Sequence, residues 1–299
     1  MIVKNDIEIR NNVLSIIENH SRKFNNDYKL LQNEIERNSD TILTHIRFCG
    51  VIPEYIQHDS TEEKLYSKYT DIVLSIAYNY LGLTANVLES RGNSADVECI
   101  NQYDEKFSFV ADAKAFRISR TAKNQKDFKI KAMDSWKFGK PFAMLVAPIY
   151  QIPAKSGQIY EQATTSNVCI FSYSHLAILI NYANNKGQKK SIELLKRVFI
   201  AIRAMNPNKS AMNYWQTVNE LILNYDNEAI VELWNKEKLI NKEIIDFYKK
   251  QALEYLAHER ERIMRLSRKK AISELLRLSK IENKINKISK VSDNELLDL

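Results

Sequence analysis

Three side chains stand at a spacing suited to hydrolytic chemistry. They are Asp96, Asp112 and Lys114, within the stretch SADVECINQYDEKFSFVADAKAF, residues 94–116. Asp112 and Lys114 alternate in an apolar run that reads as a strand. They therefore project to the same side, roughly 6.5 Å apart along the chain. Asp96 begins the run that precedes it, and the polar NQYDEK between the two runs has hairpin length. Strands about 4.8 Å apart can bring Asp96 and Asp112 together on one surface. Two carboxylates so placed repel unless a cation lies between them, and Mg²⁺, a hard ion that takes carboxylate oxygens and keeps several waters, suits them. Beside it, the Lys114 ammonium could hold an attacking water and a non-bridging phosphate oxygen. With a depressed pKa it could also assist proton removal. Metal, oriented water and positive charge together suffice for phosphodiester hydrolysis. An isolated Asp-x-Lys is most often an intrastrand charge pair on a surface strand. What weighs against that reading is Asp96, placed after the glycine-bearing turn RGNSAD, and the apolar setting of both strands.

Other elements must position these residues. Residues 5–48 carry helical apolar spacing through Val13, Ile16, Ile17, Leu30, Leu31, Ile35, Ile42 and Ile46. FCGVIPEYIQHDS breaks it as a loop. A helix is predicted from Ser60 to about Leu81, because STEE places Glu63 three residues after a capping serine. NVLES, ADVECI and FSFVADAKAF read as short strands. RISRTAKNQKDFKIKAMDSWK reads as a basic loop entering a helix, with caps at Ser119 or Thr121. PFAMLVAPIY and NVCIFSY are continuous apolar runs suited to strands covered on both faces. SHLAILINYANN is predicted as a helix, and from about Ser191 the chain reads as helical to its end. The fold class is α/β, a mixed sheet flanked by helices with helical extensions. The expected divisions are a helical segment over 1–50, a sheet-bearing core over 51–185 and a helical region over 186–299, packed as one unit.

The formal charge of +7 favours a polyanionic partner only if the charge is clustered. Cys49, Cys99 and Cys169 form no CxxC pair, so neither a zinc site nor a disulfide framework is indicated, and a reducing cytoplasm is expected. No apolar run is long enough for a membrane span, and MIVKNDIEIRNN lacks the pattern of a signal peptide. His175 and His258 stand without partners at catalytic spacing and read as structural. Trp136, Trp215 and Trp234 sit at helical apolar positions and read as core.

Asp96 followed by Asp112-Ala113-Lys114 resembles the PD-(D/E)XK nuclease signature, with Ala95 where the motif has proline. More specifically, the run from STEEKLYSKYTDIVL through LESRGNSADV to VADAKAFRISRTAKNQKDFKIKAM is similar to HindIII-type type II restriction endonucleases. The similarity is dense over about residues 47–180. In the first forty and last hundred residues it is confined to helical character. The resemblance implies a Mg²⁺-dependent homodimer that cuts the palindrome AAGCTT after its first A, leaving four-base 5′ overhangs with 5′-phosphates. By position it makes Asp112 and Lys114 catalytic, gives the Ala113 carbonyl to the metal, and places Asp96 at the motif's first acid. Glu89 is a second candidate for that acid. Glu63 falls where related nucleases often carry a helix-borne acid, and a cap shared with Ser60 explains it equally well. A cognate DNA methyltransferase is the implied functional partner, since unprotected host DNA would be cut.

The segment 117–137 follows the Asp-x-Lys strand directly. Arg117, Arg120, Lys123, Lys126 and Lys129 suit phosphates there, interleaved with Ser119, Thr121, Ala122, Asn124 and Gln125. Asn124 and Gln125 are the expected base readers, since their amides can pair with adenine N6 and N7. Asp127 would orient neighbouring cations, and Arg91 and Asn93 of the RGNSAD turn join the DNA-facing set. On composition alone the segment would be a solvated basic helix start. Adjacency to Asp112 and Lys114, with the resemblance, favours double-stranded DNA. The competing functions are a structure-specific repair or recombination nuclease and a non-enzymatic DNA-binding protein of the same fold.

Overall fold

The computed structural model describes residues 1–289 apart from 22, 38, 89–93, 103, 105 and 121–124. Glu89, Arg91, Asn93, Thr121, Ala122, Lys123 and Asn124 thus lie outside the described residues. The helical spacing of the first 48 residues becomes three helices, α1 (Lys4–Glu18), α2 (Phe24–Glu36) and α3 (Ile42–Cys49). They bury Val13, Ile17, Leu31, Ile35, Ile42 and Ile46. Helix α4 (Thr61–Tyr80) starts at the predicted cap. Ser60 is extended (φ −80°, ψ 169°), and its hydroxyl accepts from Glu63 N–H at 3.1 Å. The Glu63 carboxylate reaches back one residue further than a reciprocal cap requires, accepting from Asp59 N–H at 2.7 Å.

Five strands form one mixed sheet in chain order: β1 (Thr84–Val87), β2 (Val97–Ile100), β3 (Ser108–Ala113), β4 (Phe142–Ala147) and β5 (Val168–Ser172). β1, β2 and β3 pair antiparallel, whereas β3–β4 and β4–β5 are parallel. β4 and β5 are buried at every residue, which is why they read as unbroken apolar runs. Helices bridge the parallel pairs, as such connections require: α5 (Gln125–Phe128) and α6 (Ile130–Trp136) before β4, and α7 (Gln158–Thr165) before β5. The single helix predicted after the basic loop is divided because Lys129 takes a left-handed φ of 50°. β1 begins two residues earlier than NVLES suggests, and α7 was not foreseen.

Then follow α8 (Tyr173–Lys186), α9 (Gln188–Ala204), α10 (Ala211–Tyr225) and α11 (Asn227–Met264). His175 is buried on α8, stacked on Trp215 at 5.2 Å and hydrogen-bonded to Ser172 and Asn219. Phe107, Phe109, Phe142 and Phe199 pack ring against ring in the core. A second apolar cluster joins Phe48 and Val51, at the end of α3, to Ile240, Ile244 and Tyr248 of α11.

The chain divides into two compact units, Met1–Lys250 and Gln251–Leu299. The second contains the end of α11, α12 (Arg268–Leu278) and α13 (Ile281–Ile288). Among the described residues no helix is long and apolar enough to cross a membrane.

Helix α4 packs on β1, β2 and β3, so its start bears on what that face carries. Ser60→Ala removes the side-chain acceptor for one of the four orphan N–H groups. It is expected to cost about 1 kcal/mol, read as a lower urea midpoint with an unchanged m-value.

Candidate active site

The paired register of β2 and β3 ends at Val97 and Ala111, and the next residues outward, Asp96 and Asp112, both lie at the open end of the hairpin, close enough to interact electrostatically. Backbone bonds fix Asp96 on both sides: its N–H donates to Ala111 O at 3.0 Å, and its carbonyl accepts from Leu88 N–H at 2.8 Å. Its carboxylate accepts from Ala113 N–H at 3.0 Å. Asp112 is only 2% exposed. Lys114 lies one residue beyond the strand, yet its N–H continues the ladder to Val146 O at 2.9 Å, and its ammonium forms an ion pair with Asp112. The oxygen that takes the ammonium is Asp112 Oδ2, buried at the end of the strand.

The sequence reading missed a third acid. Asp71 sits on α4 at 4% exposure, paired to Lys68 at 2.8 Å, and interacts with Asp96, Asp112 and Lys114. Its signal was present: YTDIVLSIAY is so apolar that the helix is buried on several sides, and a lone acid there needs a partner. Burial pushes the Asp71 carboxyl up to about 6, Lys68 opposes the shift, and Asp112 adds to it. Asp96 is held well above the ordinary carboxylate range, first by burial and then by Asp71 and Asp112. Burial works against the Lys114 ammonium, but Asp112 and Asp96 outweigh it and raise its pKa. Without a metal ion, then, Lys114 is firmly cationic, the opposite of the depressed pKa that would make it a base.

Acids driven toward protonation by burial and by neighbouring carboxylates are a donor set that a hard divalent cation would satisfy. Among the described residues, the tightest group of metal-ligating atoms is elsewhere. His58, Asp59 and Glu63 lie within 4.8 Å of one another at the start of α4, with His58 and Asp59 exposed. The buried acids are spread more widely, and Lys114 is drawn in against Asp112.

Glu63 stands two helical turns before Asp71, about 12 Å along the axis, and outside the buried group. Its carboxylate takes Arg117 at 2.5 Å, while the same guanidinium donates to Ile56 O at 2.7 Å. Ser119 donates from both N–H and hydroxyl to Glu54, each at 2.8 Å. Arg120 lies 3.7 Å over the Phe116 ring and pairs with Asp127. Gln151, buried, donates to the carbonyls of Arg117 and Arg120. Thus Arg117, Ser119, Arg120 and Asp127 are all engaged within the chain. Lys126 and Lys129 are exposed, Gln125 is half-buried, and the Lys129 ammonium lies 5.5 Å from the Trp136 ring.

A brace from the N-terminal helices completes the site. The Tyr173 hydroxyl donates to Lys114 O at 3.0 Å, and Phe116 N–H donates to Gly50 O at 3.1 Å. A Cβ on Gly50 would come within 2.9 Å of the Tyr173 ring, so only glycine leaves that ring where it is.

The chain matches the family model for the HindIII restriction endonuclease over residues 8–292. It is 34% identical over 292 residues to the type II restriction enzyme HindIII of Haemophilus influenzae, with 92% of each chain covered. The chain belongs to the HindIII restriction endonuclease family. The match runs far beyond residues 47–180, into the terminal helices whose amphipathic patterns are shared by countless unrelated proteins.

The raised Asp71 carboxyl sets a pH dependence. A native pKa of about 6 against an unfolded value near 3.9 means that the native state binds the proton more tightly. The resulting stability is fully present below about pH 4 and is lost as pH rises through about 6. The loss expected for the metal-free protein is on the order of 1–3 kcal/mol, measured by urea denaturation in chelator from pH 4 to 8. Asp71→Asn should remove this part of the profile and leave the part set by Asp96.

Proposed function

We propose that this member of the family is a type II site-specific deoxyribonuclease, cleaving double-stranded DNA at AAGCTT after the first A and leaving four-base 5′ overhangs. The observation that carries the proposal is the buried Asp71, Asp96, Asp112 and Lys114 group at the end of the β2–β3 hairpin, followed at once by the basic segment from Arg117. Mg²⁺ is the proposed cofactor, held by Asp96 and Asp112 with the Ala113 carbonyl, and with Asp71 behind them. When bound, it supplies Lewis-acid charge at the scissile phosphate and its attacking water.

The chain's own residues supply the rest. The Lys114 ammonium, fixed through its backbone by Tyr173 and Val146, donates to a non-bridging phosphate oxygen as negative charge grows there. Water adds to phosphorus and releases a proton to solvent, the P–O3′ bond breaks, the 3′ oxygen leaves as a hydroxyl after taking a proton from solvent, and the phosphate stays on the 5′ end. Asp112 and Asp96 keep the ammonium and the cation on the same face of the sheet. The segment 117–129 provides the contacts to DNA: Lys126 and Lys129 for phosphates, Gln125 and Asn124 for base edges. Arg117, Ser119 and Arg120 serve that surface by holding its backbone to Glu54, Glu63 and Asp127.

A homodimer supplies two sites related by a twofold axis, matching a palindromic target. A cognate DNA methyltransferase completes the restriction-modification pair in the cytoplasm.

Digestion of a plasmid with a single AAGCTT in Mg²⁺ tests the reading, with ends mapped by sequencing. One linear product with the predicted overhang is expected. Cuts at junctions or flaps irrespective of sequence would point to a structure-specific nuclease instead. Asp112→Asn should abolish cleavage while specific binding, followed by gel shift in Ca²⁺, stays within about threefold of wild type. Normal cutting by that variant would remove Asp112 from the site.

A further inference from the structure

We infer that Gln151 is a positioning residue for sequence reading, its buried amide fixing the turn from which the DNA-facing segment starts, a role that rests on the DNA reading proposed above for the chain from Arg117. Gln151 ends a single 3₁₀ turn, Ile149–Gln151, just after β4, and its N–H donates to Pro148 O at 3.0 Å. It is 2% exposed.

A glutamine that deep needs partners at both ends of its amide, because a buried polar atom left unbonded costs stability. The nitrogen has two, donating to Arg120 O at 3.1 Å and to Arg117 O at 3.4 Å. The oxygen, Oε1, has none among the described residues. Turning the amide over would not help, since its oxygen would then face two carbonyl oxygens with no proton between them. A side chain kept for packing would be a leucine or a methionine, with no acceptor to strand. What this position needs is therefore a neutral donor with two N–H groups.

Those N–H groups hold a turn. Arg120 N–H donates to Arg117 O at 3.2 Å, closing residues 117–120. Ser119 ties the same turn to Glu54, but at the exposed surface, where water competes for both partners. Gln151 ties it from the buried side. The hold then passes to α5 through one side chain. Arg120 lies 3.7 Å over the Phe116 ring and 5.9 Å from the Phe128 ring, and it pairs with Asp127. Asp127 and Phe128 belong to α5, which also carries Gln125 and Lys126. In the other direction, Gln151 stands five residues beyond Val146, whose carbonyl takes the Lys114 N–H at 2.9 Å. The end of β4 thus grips both the lysine of the acid group and the start of the reading segment, and sets one against the other.

Gln151→Met tests this in the full chain. It keeps the length of the side chain while removing both N–H donors and the stranded oxygen, so the urea midpoint should stay close to wild type. On the duplex that wild type cuts, KM should rise while kcat stays within about threefold, because no member of the acid group is altered. Discrimination against a duplex with one base pair changed, taken as a ratio of kcat/KM values, should fall roughly tenfold or more, equivalent to one good base contact. Hydrogen exchange reads the tether without DNA. In wild type the Arg120 amide should be protected at least about tenfold relative to exposed loop amides, and Gln151→Met should remove that protection. The wild-type half of that measurement does not depend on the variant folding. An unprotected Arg120 amide in wild type, full discrimination by Gln151→Met, or a loss of kcat/KM equal for all sequences would each overturn the inference. A wild type that cuts no duplex at a fixed sequence would sink the proposed function instead, and exchange would still decide whether Gln151 sets the turn.

Discussion

Three carboxylates and two ammonium groups share a space from which water is largely excluded, between α4 and the open end of the β2–β3 hairpin. Neither side of that balance is comfortable. Asp71 is driven toward its protonated form by burial and by Asp112, Asp96 by burial and by Asp71 and Asp112, while Lys114 is held charged by Asp112 and Asp96. Breaking a buried pair leaves an uncompensated charge worth several kcal/mol, so no member can be altered without moving the others. The surrounding architecture holds this tension in place. β4 and β5 are buried throughout, the hairpin is ladder-bonded on both sides of Asp96, and α4 is packed over it. Such stored repulsion is what a site uses when it must draw in a divalent ion.

Much of the sheet was legible in the sequence, because its signals are local. PFAMLVAPIY and NVCIFSY can only be strands with both faces covered, and NQYDEK between two β-branched runs can hardly be other than a turn. The cap at Ser60 was equally plain. What escaped were features decided by tertiary contact. α7 is eight residues long with too few apolar positions to announce itself. Lys129 adopts a left-handed conformation that no glycine or asparagine foretells. Asp71 was overlooked for a related reason: helical periodicity assigns faces, and a polar residue in α4 is read as facing solvent unless the apolar residues on every side of it are weighed. The charge partners of Glu63 were hidden too, since Arg117 lies 54 residues away along the chain.

The basic segment illustrates how composition misleads about availability. By count, Arg117 and Arg120 are cations adjacent to the site. In the fold, one is clamped between Glu63 and a carbonyl, and the other is laid flat on Phe116. Their charge still contributes to the local field, but their donors are largely committed to fixing the path of the chain. On the proposed function, contact with DNA then falls to Lys126 and Lys129 at the exposed rim, whose ammonium groups act as strongly hydrated point charges. Rigid arginines behind and flexible lysines in front separate the task of shaping the surface from the task of gripping with it.

Gly50 sits at the end of α3, on an element that contributes no side chain to the acid group, yet its missing methyl is what lets the Tyr173 ring reach the carbonyl of Lys114. A side chain there would disturb the acid group without touching any of its carboxylates. Gly50 stands among buried neighbours, Phe48, Cys49 and Val51, and marks where the N-terminal layer leans on the strand end that carries the acid group.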